Sequence, residues 1–290
     1  MLSYRLSETI AVGVGAQVQY ASGLLKFATG SDTGPNSYFK GDDLAAGATV
    51  GVMLTPNPGT RIGLGWRSQI THTLDGVQAT NGNPTGNAGL DGLLNNGVGA
   101  EVEIKLPDIV TLSLVQSVTP QMRFNATVEW SNWSRLESLD LKTTSAGNSA
   151  LALSATNRPG TVQSGQALGS ISTKWEDGYF FAAGIEYDLN SSFSVRAGGA
   201  YEISPVTKAS ERVASIPDAD RIWASFGLSY ALNPATTIDF GYTHLFVDDA
   251  LIDRENISKT VGLLANLDAS LDIVSIGVRM KLGHEDAPLK

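Results

Sequence analysis

Hydrophobic and polar residues alternate with a period of two along most of this chain, and the alternation is clearest between Arg221 and Phe246. In the segment RIWASFGLSYAL, every second residue from Ile222 to Leu232 is apolar or aromatic, and the residues between them are mostly small or polar. The segment TIDFGYTHLF repeats the pattern after Asn233-Pro234, a pair that favours a tight turn. A period of two puts each residue class on one face of a strand, so the two segments predict a β-hairpin.

The same alternation predicts ten complete strands, preceded by a stub at residues 1–6. The predicted strands cover approximately residues 9–28, 44–54, 61–74, 109–117, 122–142, 179–187, 193–203, 221–232, 237–246 and 271–282. Within residues 61–74, strict alternation places Ile62, Leu64, Trp66, Ile70 and Leu74 together on the apolar face.

Short turns near residues 7, 57, 119, 190 and 234 alternate with long polar loops. A transmembrane up-and-down barrel keeps its short turns at one end and its long loops at the other. Aromatic residues near strand ends fit an interfacial girdle, and they are Tyr20, Trp66, Trp130, Trp133, Trp175, Tyr201, Trp223 and Phe246. We therefore predict an all-β fold, a transmembrane antiparallel up-and-down β-barrel with its apolar rows facing lipid. A soluble all-β fold is the alternative.

Composition narrows the class of protein further. Only 17% of the 290 residues are charged and 31 are glycine, which suits strands whose outer face does not meet water. The net charge of −9 argues against a nucleic-acid partner, and the absence of cysteine excludes disulfides and thiolate sites within these residues. No apolar run is long enough for a transmembrane helix, and residues 1–12 do not have the pattern of a signal peptide.

Several longer segments resemble the FadL family of outer-membrane transporters for long-chain fatty acids and hydrocarbons. They are GWRSQITHTLDG (65–76), LPDIVTLSL (106–114), TVEWSNWSRLESL (127–139), WEDGYFFAAGIEYDLNSSFSVRAGGAYEISPV (175–206) and IPDADRIWASFGLSYAL (216–232). The resemblance implies a barrel in the outer membrane of a Gram-negative cell, with outer-membrane lipid and lipopolysaccharide around it. It also implies passive uptake of hydrophobic small molecules, above all long-chain fatty acids. The alternatives are an uptake channel for aromatic or alkane hydrocarbons, and a structural or enzymatic barrel without transport activity.

Members of the family have a signal peptide, an N-terminal hatch that plugs the lumen, and fourteen strands. Counting back from the last strand, the stub would correspond to the fourth strand of the family. We therefore expect that this chain is a fragment that begins inside the barrel. Residues 1–282 would form the C-terminal part of the barrel and residues 283–290 a polar tail. Family members usually end on an aromatic residue, whereas Leu282 occupies that place here.

The resemblance also implies an apolar lumenal pocket in which basic side chains bind a ligand carboxylate. Lys26 and Lys174 lie near the corresponding positions, and an ammonium in a partly dry pocket pairs well with a carboxylate. The other interpretation is that both lysines face water or lipopolysaccharide phosphates. The alternation directs further charged residues into the lumen, where they would either contact ligand or form a structural network of ion pairs. These are Arg67, Glu129, Arg196, Glu202 and Arg279, and Arg67 and Arg196 join the two lysines as candidate ligand-binding residues.

No motif predicts catalysis, a metal or a cofactor. The acidic segment with Asp248, Asp249, Asp253 and Glu255 does not have the spacing of an EF-hand. The three histidines show no paired metal spacing, and no G-x-S-x-G motif is present. We expect a monomeric protein that is not an enzyme and does not bind nucleic acid.

Overall fold

In the computed structural model of the protein, residues 1–28, 36–83, 85–153, 159–214, 216–255 and 262–281 are described. The first strands of this part are β1 (Leu2–Arg5), β2 (Ile10–Ala28), β3 (Asn36–Asn57), β4 (Thr60–Arg67), β5 (Ile70–Thr80), β6 (Val98–Leu106), β7 (Ile109–Ser117), β8 (Met122–Ser131) and β9 (Ser138–Thr143). The remaining strands are β10 (Gly147–Leu153), β11 (Pro159–Val162), β12 (Ala167–Ser172), β13 (Gly178–Asp188), β14 (Phe193–Ile203), β15 (Arg221–Asn233), β16 (Thr236–Val247), β17 (Ala250–Glu255), β18 (Gly262–Leu267) and β19 (Ser270–Met280). A helix α1 (Ala88–Asn96) precedes β6, and a 3₁₀ turn at Trp133–Arg135 follows β8.

Fifteen of these strands form one antiparallel sheet, and successive crossings of the sheet are neighbours in space. Four crossings are broken into two pieces, so that β4 continues into β5, β6 into β7, β8 into β9 and β12 into β13. Counted in this way, the described residues contain ten crossings preceded by the short β1, as the alternation predicted. Within the described residues, β1 is bonded only to β2 and β19 only to β16, so these two strands do not pair with each other. The prediction of an all-β, up-and-down membrane barrel architecture is confirmed.

The short turns all lie at one end of the sheet, and each is closed by a polar side chain at its start. In each turn, a side-chain oxygen accepts a hydrogen bond from a backbone N–H two or three residues later, at 2.9–3.1 Å. The acceptors are Ser7, Asn57, Thr119, Asn190 and Asn233. Such side-chain-to-backbone bonds are the reason that Asn, Ser and Thr favour turns.

The outward face of the sheet is apolar and exposed. Phe226 is 50% exposed, and Phe240 and Tyr242 on the next strand are 39% and 38% exposed. Ser229, on the opposite face of β15, is buried. This arrangement confirms that the apolar rows face lipid and that the polar rows face the lumen.

One part of the predicted apolar face was wrong. Leu64 and Trp66 are exposed on the outward face, but Ile70 and Leu74 are only 5% and 3% exposed and point inward. The reason is a one-residue offset between β3 and its neighbour. On β3, Thr49 lies seven positions after Asp42, whereas their partners Arg67 and Asp75 are eight positions apart. A shift of one residue exchanges the two faces of a strand, so β5 presents the opposite set of residues to the interior.

The inward apolar residues above this offset form a core at the loop end of the sheet. Its buried members are Phe39, Leu74, Ala100, Val102, Leu136, Leu139, Leu141, Trp175 and Val206. Trp133 packs edge-on against Trp175 with ring centroids 5.6 Å apart. The prediction that Trp133, Trp175 and Trp223 belong to the lipid-facing girdle was therefore wrong, because Trp133 and Trp175 pack in this core and Trp223 faces the lumen.

Helix α1 lies between the predicted strands 61–74 and 109–117, where the alternation predicted one of the long polar loops. The helix begins at Asn87, whose Oδ1 accepts hydrogen bonds from the N–H groups of Gly89 and Leu90 at 3.1 and 3.2 Å. Such an N-cap satisfies backbone donors that have no partner in the first turn. Among the described residues, no helix combines the length and apolar character needed to cross a membrane. The predicted polar tail at residues 283–290 lies outside the described residues.

Candidate functional site

A cavity of about 670 Å³ lies against the lumenal wall formed by β2, β3, β4, β7 and β8. The surface of the cavity is mainly apolar, and four glycines that lie close together on this wall contribute bare backbone to it. The glycines are Gly13, Gly51, Gly63 and Gly65, and the lining also includes Arg67, Thr111 and Glu129. A largely apolar concave surface with a few polar groups is the usual form of a small-molecule site.

The polar groups of the cavity come from three neighbouring strands. Arg67 is the last residue of β4 and is exposed. Glu129 on β8 accepts a hydrogen bond of 2.7 Å from the hydroxyl of Thr111 on β7. Among the described residues, no ion pair includes Arg67 or Glu129. The cavity therefore offers one unpaired guanidinium to a ligand.

Below the cavity, towards the turn end, charged side chains form a ladder across the lumenal wall. Arg123 on β8 donates to Glu186 on β13 with its Nε at 3.0 Å and to Asp188 with its Nη2 at 2.8 Å. The other carboxylate oxygen of Glu186 accepts a bond of 2.6 Å from the Nε of Arg196 on β14. These contacts satisfy charges that would be costly to leave unpaired away from water.

The ladder continues through three further strands to the end of the sheet. The Nη1 of Arg196 donates to Ser229 on β15 at 2.6 Å and lies 3.7 Å from Asp239 on β16. Ser229 donates in turn to Asp239, and Arg279 on β19 donates to both Asp239 oxygens at 2.8 and 3.0 Å. The ladder thus ties together six neighbouring strands, from β8 to β19.

A second lumenal group lies nearer the loop end. Glu202 on β14 accepts a bond of 3.0 Å from the indole N–H of Trp223 and lies 3.4 Å from the Nε of Arg221. Phe180 packs edge-on against Trp223 with ring centroids 5.9 Å apart. The lumenal wall at this level is therefore aromatic, with one carboxylate held between an arginine and an indole.

The four candidate ligand-binding residues lie at different places in the structure. Arg67 lines the cavity, and Arg196 belongs to the ladder. Lys26 is exposed on the same face of β2 as the exposed Leu24, and so points away from the lumen. Lys174 is exposed between two buried residues, Thr173 and Trp175, and has a φ of 44°, in the left-handed region. The geometry brings neither lysine to the cavity, and their role in binding a carboxylate stays a prediction.

Glu129, Glu202 and Arg279 face the lumen, as the alternation indicated. The remaining ladder members, Arg123, Glu186, Asp188 and Asp239, were not identified as site residues from the sequence. They lie on inward positions of their strands and could have been found by the same alternation. Their pairing depends on the register between strands, which the alternation alone does not give.

The described residues contain no group of three or more His, Cys, Asp or Glu side chains placed to hold a metal ion. His72 is buried, and its Nδ1 lies 2.8 Å from Asp43, while its Nε2 lies 3.4 Å from Gln19. His244 lies 2.7 Å from Asp272 on the outward face.

An antiparallel meander with an apolar outer face, a charged lumenal wall and an apolar-lined cavity defines the class of outer-membrane β-barrels. Residues 1–282 match the family of outer membrane protein transport proteins (OMPP1/FadL/TodX), and the chain belongs to this family. It is accordingly a protein of the Gram-negative outer membrane.

Relatives of this chain include proteins from several bacteria. A long-chain fatty acid transport protein of Escherichia coli is 27% identical over 273 residues, which cover 84% of this chain and 57% of the relative. The outer membrane protein P1 of Haemophilus influenzae is 26% identical over 199 residues, which cover 69% of this chain and 37% of the relative. The chain spans about half the length of the curated relatives that it matches.

Two solved structures show the same fold. A Pseudomonas aeruginosa FadL homologue matches with a TM-score of 0.77 at 20% identity, covering 96% of this chain and 66% of that chain. The toluene transporter TodX of Pseudomonas putida matches with a TM-score of 0.59 at 13% identity, covering 97% and 68%. At these identities the likeness concerns the fold alone.

Proposed function

We propose that this chain is part of a protein that takes up hydrophobic compounds passively across the outer membrane, and that long-chain fatty acids are its ligands. The observation that carries the proposal is the cavity of about 670 Å³ on the lumenal wall, with the unpaired guanidinium of Arg67 at its edge. An apolar lining binds a hydrocarbon chain through the hydrophobic effect, and a guanidinium binds a carboxylate by paired hydrogen bonds.

The ladder below the cavity has a different role in this proposal. Arg196 already binds Glu186 and Ser229, so its guanidinium is engaged within the wall. We assign Arg196 to holding the strands together and Arg67 to contacting the ligand carboxylate. The relative named as a long-chain fatty acid transport protein supports the choice of a carboxylate ligand.

The experiment uses the product of the full-length gene, reconstituted in liposomes, and measures uptake of labelled oleate and of an uncharged long-chain alkane. Arg67→Met should slow oleate uptake by roughly 10- to 100-fold, since a hydrogen bond to a charged group contributes about 1.5–3 kcal/mol. Uptake of the alkane should be unchanged.

Arg61→Met is the matched control, because Arg61 lies on the same strand and the same face as Arg67 and does not line the cavity. If the unmodified protein takes up neither compound, the proposed function is wrong. If Arg67→Met slows both compounds equally, Arg67 does not bind the carboxylate.

A further inference from the structure

Two glycines of the lumenal wall are not required by the fold. A Cβ atom built on Gly63 or Gly65 of β4 meets no heavy atom within 4 Å, and neither residue has a φ in the left-handed region. By contrast, a Cβ on Gly76 would lie 2.0 Å from the carbonyl oxygen of Lys40. A glycine inside a strand weakens the strand, and its presence often marks a place where a ligand or another backbone comes close. Packing of the described residues explains Gly76 but not Gly63 or Gly65.

The missing side chains of Gly63 and Gly65 open directly into the cavity. Gly65 pairs across the sheet with Gly51, and Gly51 pairs with Gly13, so three neighbouring strands present bare backbone at the same level. The N–H and C=O groups of this backbone are engaged in strand pairing, which leaves a smooth surface of low polarity. Arg67 stands two residues beyond Gly65 on the same face.

We propose that Gly63 and Gly65 are specificity-determining residues, which keep open the part of the cavity where the hydrocarbon chain of a ligand lies while its carboxylate binds Arg67. This inference rests on the proposed function and adds to it the residues that determine which hydrocarbon chains fit the cavity. A side chain at either glycine would point into the path of that hydrocarbon chain and narrow it.

The test uses the absence of cysteine from these 290 residues. Gly65→Cys and, separately, Gly63→Cys are made in the full-length protein, with the new thiol as its sole cysteine. Each thiol is modified with methanethiosulfonates carrying methyl, propyl or hexyl groups, and oleate uptake is measured in liposomes before modification, after it, and after dithiothreitol.

We expect uptake to fall stepwise with the length of the alkyl group, by more than roughly tenfold for hexyl, since the added group would occupy the part of the cavity in which the hydrocarbon chain of the ligand lies. Dithiothreitol should restore uptake, which would also show that the modified barrel remained folded. Gly169→Cys is the matched control, because Gly169 on β12 also has open space around its Cβ position but does not line the cavity.

Unchanged oleate uptake after hexyl modification of both variants, with an active unmodified protein, would overturn the inference and leave the proposed function intact. An unmodified protein that takes up no oleate would overturn both. If the hexyl adducts lower the unfolding temperature and dithiothreitol does not restore uptake, the glycines accommodate a protein segment and the inference is wrong. Should one variant fail to assemble, the other decides the result.

Discussion

The guanidinium of Arg135 donates a hydrogen bond of 2.6 Å to the carboxylate of Asp108, and the two residues lie at breaks in neighbouring strands. Asp108 separates β6 from β7, and Arg135 ends the 3₁₀ turn between β8 and β9. The other oxygen of Asp108 accepts the N–H of Gln69 at 3.1 Å, where β4 gives way to β5. One carboxylate therefore fastens three adjacent crossings at the level where the inner and outer faces of β5 are exchanged.

The first prediction is that Asp108→Ala destabilises the barrel by about 2–3 kcal/mol, because two hydrogen bonds to the carboxylate are lost and their donors are left without an acceptor. Urea unfolding in detergent micelles, followed by tryptophan fluorescence, measures the difference. Glu103→Gln is the control, since Glu103 forms an ion pair of 3.1 Å with Lys105 in which both side chains are about half exposed. Such exposed pairs contribute little. Equal effects of the two substitutions would contradict the assigned role of Asp108.

The second prediction concerns pH. Partial burial opposes ionisation of Asp108, but the hydrogen bonds from Arg135 and from the Gln69 N–H outweigh it and hold the pKa of this carboxyl below its usual value. A carboxyl with a lowered pKa stabilises the folded state above its unfolded pKa, which is about 3.9, and this stabilisation is lost as the pH falls through the folded pKa. Between pH 7 and 5, Asp108 is ionised in the folded and the unfolded state, so its contribution to the free energy of unfolding should not change. At more acidic pH this contribution should fall.

The measurement for this second prediction is the urea midpoint as a function of pH in the unmodified protein and in Asp108→Asn. The variant should lose the part of the acid dependence that belongs to Asp108, and the two curves should approach each other at the acidic end. Parallel curves over the whole range would show that the ionisation of Asp108 is not linked to folding.

The alternation of residues predicted most of the fold because each strand of a membrane barrel has one face towards lipid and one towards the lumen. Phe226 and Phe240 could be assigned to the lipid face on this basis alone. Ile70 and Leu74 could not, because the offset that turns them inward is a single residue and leaves no break in the apolar pattern. Helix α1 was missed because its glycines weaken the helical signal, although Asn87 followed by Leu90, Leu93 and Leu94 is a capped amphipathic pattern.

Side chains in the segments that resemble the FadL family form hydrogen bonds across the strand breaks and the loop ends. Asp108 lies in LPDIVTLSL, and Arg135 lies in TVEWSNWSRLESL. In WEDGYFF, Asp177 accepts the indole N–H of Trp130 at 2.9 Å. In IPDADR, Asp220 accepts the N–H of Ser204 at 2.8 Å. The sequence indicated that these aspartates belong to specific motifs, but their partners come from distant segments and required the strand pairing.

The third prediction separates the ladder from the ligand site. Glu186→Gln should destabilise the barrel by about 1–2 kcal/mol, since Arg123 and Arg196 lose their shared carboxylate but keep Asp188 and Ser229 as acceptors. The fraction of the Glu186→Gln protein that assembles should bind oleate with unchanged affinity. The measurements are urea unfolding and oleate binding in detergent. A loss of affinity without a loss of stability would move the ligand contact from Arg67 to the ladder.

The fourth prediction concerns the two lysines indicated by the resemblance. Lys26→Met and Lys174→Met should weaken binding of a fatty acid and leave binding of an alkane unchanged if either ammonium binds the carboxylate. Because both lysines are exposed outside the cavity, we expect each effect to be smaller than that of Arg67→Met. Competition with a fluorescent fatty acid in the full-length protein gives the three affinities. If a lysine variant binds the fatty acid with lower affinity than Arg67→Met does, the ligand carboxylate lies near the loops.

The last prediction tests the one-residue offset itself. Deleting Gln69 places Asp75 seven positions after Arg67, the same spacing as between their partners on β3. With equal spacing, strict alternation counted from the inward Arg67 keeps Ile70 and Leu74 on the inward face, so Leu74 stays in the core at the loop end. The deletion removes the N–H that donates to Asp108, so we expect it to cost no more than this one hydrogen bond.

We therefore expect the deletion to leave assembly nearly unchanged, measured as the fraction that migrates as a folded barrel in unheated gels. Deletion of Asn83, an exposed residue in the segment before α1, is the control and should assemble normally, since loops tolerate changes in length. A strong loss of assembly, beyond that of the variant without Asn83, would show that the extra residue is needed to turn Ile70 and Leu74 inward.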